Sequence, residues 1–133
     1  MRELPPKDRE ALLALASAMR EGGMNPPDPP PPSDPRARAL LELLVAAGDV
    51  LLLPGQPPTQ RVAFHRDALE HARGALLAAF PPPTAFTVSK ARELLGSTRK
   101  FTVPLLEHLH ATGDTERRGD LHLFARPRSP GGE

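Results

Sequence analysis

Seven of the eleven positions from Asn25 to Pro35 are proline, at 26, 27, 29, 30, 31, 32 and 35. Each ring fixes φ at roughly −65° and removes a backbone donor, so no helix or paired strand runs through such a stretch. The segment is therefore a connection of polyproline II character, either a ligand for an aromatic-lined groove or an inserted link between two helices. The whole chain of 133 residues carries 18 Pro and 10 Gly, so its folded part must consist of short elements between breakers. Hydrophobic residues still make up 39%, enough for one domain or two small ones. With no cysteine, a disulfide framework, a Cys-ligated zinc finger, an iron–sulfur centre and thiol catalysis are all excluded. No apolar run is long enough to cross a membrane, and the first twenty residues are too charged for a signal peptide, so a cytoplasmic protein is expected.

Periodicity places the elements. Leu12, Leu13, Leu15, Ala16 and Met19 recur at helical spacing within Lys7–Arg20, and Gly22-Gly23 ends that helix. Ser33 or Asp34 can cap a second helix with Pro35 in its first turn and Leu40, Leu41, Leu44 and Val45 on its apolar face. Two short apolar runs, Val50–Leu53 and Arg61–Phe64, flank a loop of Gly, Pro and polar residues and read as a hairpin. A third helix is expected over His65–Phe80, stopped by Pro81-Pro82-Pro83. Phe86 then makes a short extended contact. Thr87 is an N-cap for a helix carrying Ala91, Leu94 and Leu95 and closed by Gly96. Ser97-Thr98 caps a helix from Arg99 to about Ala111, with Phe101, Val103, Leu105, Leu106 and Leu109 expected inside. A tight hairpin turning at Gly119-Asp120 follows. The two halves share one plan, helices followed by a hairpin, and in the first half the proline tract stands where a helix would be. The expected fold is mainly α with small β-hairpins, an α+β arrangement of tandem winged-helix domains. The first covers 1–64 with its insertion at 25–35, the second 65–126, and a disordered tail covers 127–133.

Chemistry is sparse. The five histidines lack the spacing of two metal ligands on one helix, and no nucleophile motif or phosphate-cradling glycine loop is present. Neither catalysis nor a bound cofactor is expected of this chain. Net charge is only +1, but residues 84–128 carry eight Lys/Arg against five Asp/Glu. Among them are Arg92, Arg99, Lys100, Arg117 and Arg118; Arg99 and Lys100 fall in the first turn of a helix and Arg117 and Arg118 on a hairpin that a winged-helix plan brings close, where two basic groups could flank one nucleic-acid backbone. Without Tyr or Trp there is no stacking platform for single strands, which leaves backbone contacts and one or two extruded bases.

The run Phe86-Thr87-Val88-Ser89-Lys90-Ala91-Arg92-Glu93-Leu94-Leu95-Gly96-Ser97-Thr98-Arg99-Lys100-Phe101-Thr102-Val103-Pro104-Leu105-Leu106-Glu107, with Thr115-Glu116-Arg117-Arg118-Gly119-Asp120 after it, resembles the last domain of SelB, the bacterial selenocysteine-specific elongation factor family. The likeness is long and specific over 86–124, looser over 34–80, and slight over 1–33. It implies a module that grips an mRNA hairpin, the selenocysteine insertion element. The module thereby holds a GTPase body with its tRNA at an in-frame UGA codon on the ribosome. That body, with its GTP and Mg²⁺, is not in this sequence, so the chain is expected to be a C-terminal fragment or a separate RNA-binding piece, and a monomer. The resemblance implies RNA contacts from Arg99 and Lys100, from the hydroxyls of Ser97 and Thr98, and from Arg117 on the hairpin. Glu116 stands where the family usually has Arg, and Arg118, on the same strand face, offers a replacement charge. The family also has proline where Pro104 interrupts the helix. The competing reading is a DNA-binding winged-helix regulator. It is disfavoured because the helix after Arg99-Lys100 offers little to read a groove.

Overall fold

The structure is a computed structural model that describes residues 4–55, 57 and 59–125. Its contacts divide the chain into two units between Glu70 and His71, whereas the sequence reading drew its boundary between Phe64 and His65. The expected tail over 127–133 lies outside the described residues.

In the first unit, α1 (Pro6–Gly22) opens with proline in its first turn, where the missing N–H costs nothing. Asp34 caps α2 (Pro35–Ala46) by accepting the amide hydrogen of Ala37 at 3.1 Å. Strands β1 (Val50–Leu53) and β2 (Val62–His65) pair antiparallel, Val50 opposite His65 and Leu53 opposite Val62. Met19, Leu41, Leu44, Val50 and Ala63 close a core against which Leu12, Leu15 and Ala16 of α1 pack. The proline tract lies back on this unit. Pro26 is buried, and the Arg38 guanidinium donates to the Pro30 carbonyl at 2.9 Å. His65, expected to open a helix, instead ends β2 as a buried residue whose Nδ1 accepts the amide hydrogen of Asp67 at 3.1 Å. The helix α3 (Arg66–Ala79) begins one residue later and contains the division between the units.

In the second unit, Thr87 accepts the Lys90 amide hydrogen at 3.2 Å and so caps α4 (Val88–Leu95), while Gly96 takes the left-handed conformation, φ 61°, that ends it. Helix α5 (Arg99–Ala111) runs through Pro104 and leads into the hairpin of β3 (Thr115–Arg118) and β4 (Leu121–Phe124). The buried stripe of α5 is Thr102, Val103, Pro104, Leu105, Leu106 and Leu109. Phe101, expected inside, is only half-buried because Thr102, Leu105, Leu106 and Leu109 set the i, i+3, i+4, i+7 line, one residue on. Leu94, expected on the apolar face of α4, is exposed. Phe86 forms an isolated bridge with His122, each amide donating to the other's carbonyl at 2.8 Å. Its ring stacks on Phe80 with centroids 4.8 Å apart.

Each unit thus feeds a helix directly into a two-stranded hairpin, and the α+β winged-helix expectation holds.

Candidate nucleic-acid interface

The register of the second hairpin decides where its charges go. With Arg118 opposite Leu121 and Arg117 opposite His122, alternation puts Thr115, Arg117, His122 and Phe124 on one face and Glu116, Arg118, Leu121 and Leu123 on the other. Arg117 therefore turns toward the helices. It shares with Arg99 a cavity of about 260 Å³, walled by Thr87, Val88 and Ser89 at the start of α4 and by Asp120 and His122 of the hairpin. Two helix N-termini meet there, and each leaves backbone N–H groups without intrahelical partners, which favours an anion. Arg99 is exposed and has no ion-pair or hydrogen-bond partner among the described residues. The Arg117 Nε–H donates to the Gly119 carbonyl at 3.2 Å, which steadies the side chain beside the turn.

Arg118 does not join this group. It stands 3.7 Å from the Glu116 carboxylate, both largely exposed, beside a second hollow walled by Pro82, Pro83 and Leu123. The two side chains share a face, as expected. They answer each other's charge locally, so Arg118 does not restore the charge that Glu116 removes from the wing. Lys100 is exposed next to Arg99, with Nζ 5.2 Å from the centre of the Phe101 ring. Thr98 is the N-cap of α5 in extended conformation, yet its hydroxyl makes no cap bond, unlike Thr87 in α4. Ser97, half-buried, precedes it, and Arg92 sits half-buried in the last turn of α4, outside the cavity wall.

His122 was missed by sequence reasoning. It is buried, its Nδ1 has no hydrogen-bond partner among the described residues, and it walls the cavity. Burial, then the Arg117 charge, then His110, hold its pKa below the ordinary 6.5. Because the unfolded chain then binds the proton more readily than the folded one, stability is complete above pH 6.5 and falls as pH drops from 6.5 toward the lowered folded pKa. Thermal melts across that window should show this loss in the wild type and a flatter profile in His122→Gln. An equal slope in both would refute the assignment. Among the described residues no group of acidic or histidine side chains is arranged to hold a metal, and no helix is long and apolar enough to cross a membrane.

Residues 82–124 match the family described as elongation factor SelB, winged helix. The fold resembles a crystal structure of the bacterial selenocysteine-specific elongation factor EF-Sec, with a TM-score of 0.67 and 21% identity over 95% of this chain. This chain spans 20% of that one. It also resembles the mRNA-binding domain of elongation factor SelB from E. coli, solved in complex with SECIS RNA, with a TM-score of 0.62 and 18% identity over 92% of this chain and 100% of that one. A search of curated proteins finds no match. The stretch that builds the cavity, from α4 to the second hairpin, therefore lies within the residues that match the SelB winged-helix family, and its fold is that of a winged helix.

Proposed function

We propose that this chain binds an mRNA hairpin as the recognition module of a selenocysteine-specific elongation factor, holding the rest of that factor at a UGA codon on the ribosome. The observation that carries the reading is the convergence of Arg99 and Arg117 on one cavity at the starts of α4 and α5, within the residues that match the SelB winged-helix family. Arg99 and Lys100 take backbone phosphates, the Thr98 and Ser97 hydroxyls take a phosphate or 2′-OH, and Arg117 closes the site from the hairpin. The cavity admits one extruded base or phosphate, with His122 in its wall. Arg92 and Arg118 contribute through the general field, Arg118 weakly because of Glu116. The module acts as a monomer without a cofactor, and GTP and Mg²⁺ belong to the GTPase body. In a winged-helix DNA regulator the corresponding helix would lie in the major groove. Here Thr102 to Leu106 are all buried, and beyond them α5 exposes Glu107, His110 and Ala111, with no Arg, Asn or Gln along that length to read base edges.

An equilibrium titration at two salt concentrations tests the reading. The ligands are an RNA hairpin from just downstream of an in-frame UGA, a scrambled hairpin and a duplex DNA. Tighter binding of the cognate hairpin than of both controls is expected, whereas equal weak binding to all three would overturn the proposal.

A further inference from the structure

The wall of the second unit's cavity holds a titratable group beside its two arginines. His122 is 4% exposed, and its Nδ1 is sealed from solvent with no hydrogen-bond partner among the described residues. The hairpin register sets it opposite Arg117 of β3, on the face that Arg117 shares. From α5, Arg99 lines the same cavity, while His110, whose Nδ1 is 3.3 Å from the Thr115 carbonyl, adds positive charge when protonated. The turn supplies the acid of the wall, Asp120, and the start of α4 brings only the uncharged Thr87, Val88 and Ser89. Phe86, its ring 6.0 Å from the imidazole, packs an apolar surface against it. In the free chain, burial first and the Arg117 charge second keep this imidazole neutral near pH 7. An anion between Arg99 and Arg117 reverses the second cause, because it offsets the guanidinium charge and favours the imidazolium. A neutral base in the same cavity would do neither.

We infer that the cavity takes up an RNA phosphate together with a proton, which His122 accepts from solvent to become a third cation beside Arg99 and Arg117. This rests on the RNA-binding reading of the second unit and adds what fills the cavity and how pH controls it. Because the complex then holds a proton that the free chain lacks, affinity rises as pH falls. One proton gives at most about tenfold per pH unit, and the rise levels off once the free chain is protonated too.

Titration of the full chain with the cognate hairpin between about pH 8 and about pH 5.5 at constant ionic strength, repeated with His122→Gln, tests the coupling. Wild-type affinity should rise by about three- to tenfold from about pH 7.5 to about pH 6, and that of the variant should change by less than about twofold. The variant also subtracts proton uptake by the RNA and by the other histidines. The histidine Cε1–H resonances of the wild-type chain give a second measurement, which decides if His122→Gln fails to fold. The His122 signal should titrate at higher pH in the complex than in the free chain. A flat wild-type profile, an equal slope in the variant, or an unmoved His122 titration overturns the inference. If the wild-type profile is flat while Arg99→Ala still weakens hairpin binding, the RNA-binding reading stands without the proton. A chain that prefers the cognate hairpin at no pH refutes both.

Discussion

Replacing Arg99 by alanine should weaken cognate-hairpin binding by about ten- to a hundredfold. A hydrogen bond to a charged group is worth roughly 1.5–3 kcal/mol, and each 1.4 kcal/mol is about a factor of ten. Arg99 stands at the first position of α5 on the cavity it shares with Arg117. The helix terminus and the hairpin arginine remain in the variant, so binding is reduced and not abolished. One lost phosphate contact should also lower the salt slope by about one. The folded state should not notice the change, because Arg99 is exposed and has no partner among the described residues. Its melting temperature should match the wild type. By contrast Arg118→Ala should cost under about threefold, since Glu116 already answers that charge at 3.7 Å and exposed pairs contribute little. If the two variants lose affinity equally, binding follows net charge and no built site exists.

Phe86→Ala should destabilise the second unit by about 3–5 kcal/mol. Phe86 is 1% exposed, its ring stacks on Phe80 at 4.8 Å and lies 6.0 Å from both His122 and Phe124. Its backbone holds β4 through two hydrogen bonds to His122. A unit of this size has a total stability of roughly 3–9 kcal/mol, so the variant should be largely unfolded or close to it. Urea denaturation followed by circular dichroism reads the loss, a suitable probe because the chain has neither Trp nor Tyr. RNA binding should fall with it, since Phe86 precedes the Thr87 cap and braces the strand that carries His122. A loss below about 1.5 kcal/mol would mean that the aromatic cluster repacks and that Phe86 does not anchor the hairpin.

Most of the fold was legible because its boundaries are set by residues with strong local rules. Pro35, Asp34, Thr87, Gly96 and Gly119 each sit where their backbone chemistry requires, and the elements begin and end there. What local rules miss is the phase of a face. Phe101 read as core by hydrophobicity, yet the stripe of α5 runs through Thr102, a polar residue that no hydrophobic count selects. His65 read as helical, but it pairs with Val50 across a hairpin, a contact set by a partner fifteen positions away. At the candidate site, the sequence singled out Arg99 and Arg117 and also treated Arg118 as their companion. Counting outward from the Gly119-Asp120 turn would have separated them. It sets Arg118 opposite Leu121 and Arg117 opposite His122, which also brings the histidine into the site.

In the proposed reading the starts of α4 and α5 and the tip of the second hairpin form one RNA-binding surface. Amide chemical-shift mapping of the full chain on addition of the cognate hairpin tests it most directly. The largest shifts are expected at 87–90, 96–100 and 117–122, with Arg99→Ala moving the titration midpoint to higher RNA concentration. Shifts concentrated elsewhere in the second unit, or none at concentrations that saturate binding, would contradict it.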